Sequence, residues 1–185
     1  MYKIVKWSSD LNLDDFYLEA ERKGFVNNSS QSAMIDCFKN EKDWCVWILF
    51  YNDIAVGSVA SHSFPEMGEN AYRICARTCV LSHLIPTPSL RTKNQIISHQ
   101  HITGQFFIPV CIDWAPQNAE LYITSNENSM GTQRLVHRIF CPAMEKSGQM
   151  KRIKDLAYRG TNQTVWQLFP DMFYKELNKS VRWGN

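Results

Sequence analysis

The sequence predicts a mixed α/β fold, in the order strand, helix, helix, three antiparallel strands, helix, strand, helix, two strands, and three observations carry that expectation. First, two runs rich in β-branched and aromatic residues within DWCVWILFYNDIAVGSVASHSF meet at Asn52-Asp53, and Asn and Asp tolerate the left-handed backbone of a tight hairpin turn. Second, AYRICARTCVLSHL reads as a further long strand directly after that hairpin. Third, helical spacing in FFIPVCIDWA separates this strand from the short strand ELYITS, and a helix between two strands makes them parallel neighbours in one sheet. A ligand crevice is expected where the strand order of such a sheet splits.

Element by element, YKIVKW (2–7) alternates and forms the first strand. In SSDLNLDDFYLEAERKGF, Asp10 or Asn12 caps a helix, acids fill its first turn, and Leu13, Phe16, Tyr17 and Ala20 make its apolar face. Gly24 ends it. A second helix fits SSQSAMIDCFKN behind Ser30 or Ser32, with Ala33, Met34, Cys37 and Phe38 inward. The hairpin pairs 44–51 with 54–63. On the next strand Tyr72, Ile74, Ala76, Thr78 and Val80 face one way, and Arg73, Cys75, Arg77, Cys79 and Leu81 the other. Residues 82–103, with Pro86, Pro88 and three histidines, form a long connection of the kind that serves as a lid or mobile segment. The next helix turns Phe106, Phe107, Val110, Cys111 and Trp114 inward. After ELYITS, Asn128 or Ser129 caps a helix carrying Leu135, Val136, Ile139, Phe140 and Met144, which Pro142 kinks or shortens. MKRIKDLAYRG and QTVWQLF are the last strands, and a short polar tail follows.

At 185 residues the whole chain, 1–185, is expected to fold as a single domain with an insertion at about 82–103. A net charge of +2, with 20 basic and 18 acidic residues spread throughout, gives no footprint for nucleic acid or an anionic membrane. The N-terminus lacks the apolar core of a signal peptide, and no apolar run approaches the ~18 residues of a membrane span. The expectation is a soluble, cytoplasmic protein. The six cysteines sit mostly in apolar stretches and read as reduced core residues.

Three clusters invite a functional reading. Arg73 and Arg77 share a strand face, and two buried guanidinium groups are costly unless paired. Either acids meet them, or the face opens into a crevice where they bind an acidic substrate group or a cofactor phosphate. Cys75 and Cys79 also share a face but are too far apart for a disulfide, and packing is the favoured role. His99 and His101 form an H-x-H pair near His83, but no carboxylate or cysteine sits at a supporting spacing for a zinc site, so no metal is expected and exposed loop histidines are the default.

The element order, together with WILFYNDIAVGSVASHSF, AYRICARTCVLSHL and ELYITSNENS, resembles the Gcn5-related N-acetyltransferase (GNAT) superfamily over about residues 2–170. The resemblance implies a loop of Gln or Arg, two residues, Gly, one residue, then Gly or Ala, placed between the fourth strand and the following helix. Small residues there let backbone N–H groups wrap a pyrophosphate at the helix's positive end. The best frame is His101-Ile102-Thr103-Gly104-Gln105-Phe106, in which Gly104 alone matches outright. Phe106 stands where a small residue is expected, and Pro109 removes an N–H from the first turns. The resemblance further implies backbone N–H groups near Cys79, Val80 and Leu81 that polarise a thioester carbonyl. It implies an asparagine, Asn126 or Asn128, on the pantetheine arm, where helix capping is the ordinary role. Arg73 and Arg77 stand where the family carries a carboxylate base, which leaves Glu120 at a strand start. The family's tyrosine acid is absent from GTQRLVHRIFCPAMEK, where His137 is the substitute.

The function implied is an acetyl-CoA or other acyl-CoA dependent N-acetyltransferase acting by direct transfer on a small-molecule or protein amine, with a homodimer as one arrangement. The competing reading is a non-catalytic binding or assembly module of the same fold whose cofactor loop has decayed.

Overall fold

Asn52 and Asp53 both take positive φ, 46° and 64°, the type I′ turn whose twist matches that of paired strands. They set β2 (Cys45–Tyr51) antiparallel to β3 (Ile54–Ser63), with Tyr51 opposite Ile54. The structure is a computed structural model that describes residues 1–25, 31–85, 102–128 and 136–181. The remaining strands are β1 (Tyr2–Lys6), β4 (Ala71–Val80), β5 (Glu120–Ser125), β6 (Met150–Tyr158) and β7 (Thr161–Leu168). Among the described residues the α-helices are α1 (Asp14–Arg22), α2 (Gln31–Asp36), α3 (Ile108–Trp114), α4 (Cys141–Lys146) and α5 (Pro170–Val181). The sheet is mixed and runs β1-β2-β3-β4-β5-β7-β6, with β4 and β5 parallel as the intervening helix requires. Ser30, Pro86, Pro88, His99, His101, Ser129 and Leu135, and the side chains of Ala33 and Met34, lie outside the described residues.

The chain divides into two compact units, Met1–Ser63 with Cys75–Phe107, and Phe64–Ile74 with Ile108–Asn185. In the first, Phe16, Tyr17 and Ala20 of α1 pack with Val46, Ile48, Ala60 and Cys79 of the strands. Each large apolar side chain so buried contributes about 1.5–3 kcal/mol. Asn12 Oδ1 accepts the Asp14 N–H at 3.1 Å, and Gly24 at φ 86° closes α1. There the Gly24 N–H bonds the Glu21 carbonyl and the Phe25 N–H the Ala20 carbonyl, a Schellman stop.

In the second unit Phe64, Ala71, Tyr122, Tyr158 and Val165 form the core. β7 takes the place between β5 and β6, pairing antiparallel with both. The reason is polarity: β7 buries Thr164, Val165, Trp166 and Leu168, whereas β6 exposes most of its length.

Three expectations need correction. The alternation on β4 fails, because its buried residues are Ala71, Ile74, Ala76, Cys79 and Val80. Cys75 and Arg77 adopt left-handed φ of 54° and 49°, which re-aims successive side chains. The polar tail is helix α5: Pro170 opens it, where a missing N–H costs nothing, and Phe173 anchors it at 3% exposure. Pro142 does not simply kink its helix. Residues Val136–Phe140 widen into a π-helical turn ahead of it, and Thr103–Phe107 do the same ahead of Pro109. In both places the proline follows the turn by two residues, in FFIP and IFCP, so the ring cannot donate and crowds the carbonyl four residues back. Opening the spiral to i→i+5 spacing relieves that clash.

Candidate functional site

The π turn Thr103–Phe107 carries the glycine of the expected phosphate loop. A Cβ built on Gly104 meets nothing within 4 Å among the described residues, so no neighbouring protein atom demands a glycine there. Gln105 is exposed and Thr103 is buried. Phe106 does not lie over Gly104. It turns away to pack on Tyr2, ring centroids 5.1 Å apart. Phe107 is fully buried, and a Cβ on Gly57 would stand 2.9 Å from its ring tip and 3.2 Å from the Cys79 carbonyl oxygen.

Cys79, Val80 and Leu81, the residues expected to polarise a carbonyl, are buried at the end of β4. The Leu81 N–H is spent on the Val56 carbonyl at 2.8 Å. Burial pushes the Cys79 thiol up to about 12, which makes it a packing group and a poor nucleophile. The backbone irregularity of β4 lies upstream of these residues, at Cys75 and Arg77, with the Thr78 hydroxyl donating to the Cys75 carbonyl at 2.8 Å. Cys75 is half-buried and does not share the buried face of Cys79. The shared face expected of Arg73 and Arg77 also rested on an alternation that Cys75 interrupts. His83 is paired with Glu19 at 3.0 Å.

In the second unit Arg73 is half-buried, its Nε donating to Thr124 Oγ1 at 2.9 Å and its guanidinium lying 5.0 Å from the centre of the Tyr158 ring. A hydroxyl and an aromatic face thus receive this cation.

Glu120 and His137 sit at opposite ends of β5. Glu120 opens the strand and accepts the Tyr122 hydroxyl at 2.8 Å. Burial first, then that bond, push the Tyr122 phenol up to about 12. Five residues on, roughly 17 Å at strand rise, Ser125 is 1% exposed, and its Oγ lies 2.9 Å from His137 Nδ1 and accepts the Trp166 indole N–H at 2.8 Å. His137 itself is half-buried on the π turn. It lies within electrostatic reach of Asp155, whose carboxyl is held below its ordinary range by the Thr164 hydroxyl and by Arg152. Asn126 closes an Asx turn, its Oδ1 accepting the exposed Asn128's N–H at 2.9 Å.

Two of the expected catalytic and pantetheine contacts, His137 and Asn126, are therefore gathered where β5 ends, and Glu120 is not. The Ser125 and Trp166 partnership escaped the sequence reading because it joins residues 41 apart. Its one local signal was a serine closing an apolar strand.

No family model and no curated protein matches the chain. Solved structures do. A probable acetyltransferase from Staphylococcus epidermidis superposes with a TM-score of 0.57 at 14% identity, over 91% of this chain and 98% of its own. FeeM, an N-acyl amino acid synthase from uncultured soil microbes, gives 0.55 at 10% identity over 93% of each chain. A GNAT family acetyltransferase from Elizabethkingia anophelis with acetyl-CoA bound gives 0.50 at 12% over 90% of this chain and 97% of its own. At these identities the likeness is one of fold: the chain has the mixed-sheet fold of the Gcn5-related N-acetyltransferases.

Proposed function

We propose that this chain is a divergent member of that superfamily, which passes the acyl group of an acyl-CoA, acetyl-CoA in the simplest case, directly to an amine of a small molecule or protein. The observation that carries the reading is Gly104, where an added Cβ would meet nothing within 4 Å among the described residues, on the widened turn that runs into α3 after β4. The residues present fit an acyl-CoA on that ground: no described residue stands over Gly104, and Phe106 is turned onto Tyr2.

Bound there, an acyl-CoA supplies a thioester already activated toward amines. The chain's own parts bind, orient and move a proton. The widened turn through Gly104 and Gln105 holds the pyrophosphate. Backbone N–H groups near Cys79, Val80 and Leu81 receive the carbonyl oxygen as negative charge grows on it. Asn126 or Asn128 contacts the pantetheine arm. His137 delivers a proton to the departing thiolate in place of the family's tyrosine. Glu120, bonded to Tyr122 at the far end of β5, holds that phenol in the core.

Calorimetric titration with acetyl-CoA, with desulfo-CoA and ADP as controls, tests the reading. Micromolar binding that is lost in Gly104→Trp, with the melting temperature kept, is the expected result. No binding up to millimolar concentration overturns it in favour of a second reading, a binding or assembly module of the same fold. That reading is favoured by the histidine in the tyrosine's place.

A further inference from the structure

We infer that Ser125 is a positioning residue that fixes His137 in one tautomer, with Nδ1 as acceptor and the proton on Nε2. The hydrogen-bond inventory carries this. The Trp166 indole N–H can only donate, so Ser125 Oγ is the acceptor at 2.8 Å. The hydroxyl then has one hydrogen left to place. Ser125 is 1% exposed, so water does not receive it, and among the described residues the other partner of Oγ is His137 Nδ1 at 2.9 Å. Were Nδ1 protonated, it too would donate to Oγ, and the hydroxyl hydrogen would be buried without an acceptor, which is costly. With Nδ1 unprotonated, every member of the chain Trp166, Ser125, His137 is satisfied. The neutral imidazole then presents Nε2–H as its only donor.

Main-chain pairing holds the relay in register. Ser125 lies opposite Thr164 and Ile123 opposite Trp166 in the ladder between β5 and β7, so the indole and the hydroxyl come from adjacent paired strands. The widened turn Val136–Phe140 brings the imidazole to them. The consequence for acyl transfer, an Nε2–H aimed as the proton donor, rests on the function proposed above. The tautomer itself does not.

The test is two-bond 15N–1H correlation spectroscopy of the full chain with 15N-labelled histidine, at a pH where His137 is neutral, its signals assigned by their loss in His137→Gln. The expected result is a single tautomer with an unprotonated Nδ1, retained in Ser125→Thr, which keeps the hydroxyl. Ser125→Ala should give a mixture of both tautomers in exchange. A protonated Nδ1 in the unaltered protein, or a Ser125→Ala spectrum unchanged from it, overturns the inference. The readout needs no acyl-CoA, so a failed titration would remove the proposed function and leave the tautomer standing, and a mixed tautomer beside micromolar acyl-CoA binding would do the reverse.

Discussion

Glycines that look alike in the sequence have opposite surroundings. A Cβ at Gly57 would crowd Phe107 and the Cys79 carbonyl oxygen, whereas at Gly104 it would meet open space. Gly57→Ala should therefore lose about 1–3 kcal/mol through overpacking, and Gly104→Ala should gain up to about 1 kcal/mol from its helical position. Urea denaturation of the two variants checks the contrast, and a stable Gly57→Ala would mean that the strand yields more easily than its packing suggests. Tyr17 is fully buried at 0% exposure, and its hydroxyl lies beside Ser58 without a well-formed hydrogen bond among the described residues. Burial, first of all, raises its phenol above the ordinary range. Because its contact with Ser58 falls short of a well-formed bond, Tyr17→Phe should change stability by no more than about 1 kcal/mol, readable as a small shift of the urea midpoint at unchanged slope. Sequence alone marked Tyr17 for its place on a helix and Gly104 for its place in a phosphate loop, but what surrounds each of them comes from distant segments.

The elements follow local chemistry wherever that chemistry is strong. Asn52-Asp53 makes the turn it announces, and Gly24 ends α1 by a Schellman motif. Asp53 nevertheless holds φ 64°, a conformation that glycine adopts freely. Asp53→Gly should raise stability by up to about 1 kcal/mol, seen as a higher melting temperature with an unchanged far-ultraviolet spectrum. A fall would show that the Asp53 side chain contributes to the turn. The two π turns were legible only in part: Pro109 and Pro142 announced trouble, but widening, kinking and ending are all answers to a missing N–H. Neighbouring packing chose widening. β6 shows the same division of labour. Its sequence gives a strand, while its place at the sheet edge follows from Lys151, Arg152 and Lys154 and from the register shift between Arg152 and Lys154, features that discourage further pairing.

At the scale of the whole molecule, cysteine reports on the packing of both units. Cys45, Cys79, Cys111 and Cys141 are buried, while Cys37 and Cys75 are half-buried. A thiol reagent at neutral pH should label Cys37 and Cys75 in the native protein and all six cysteines in denaturant; prompt native labelling of Cys79 would contradict the core described here. The same thiol sets an alkaline limit. Its pKa rises from 9.0 to about 12 on folding, so the contribution of the neutral thiol is complete below pH 9 and is lost as pH rises from 9 toward 12, at roughly 1.4 kcal/mol per unit. Stability curves over that range, with and without Cys79→Ala, measure it.

What the sequence determined by itself is the list of elements and most of their order, because hairpin turns, helix caps and apolar periodicity act over a few residues. From that list followed the parallel pairing of β4 with β5, since a helix must bridge them. The tertiary structure alone decided that β7 lies between β5 and β6, that Phe106 turns onto Tyr2 and away from Gly104, and that Ser125 meets Trp166 and His137. Each is a competition among distant groups for burial or for a hydrogen-bond partner, and such a competition is settled only when the whole chain is folded.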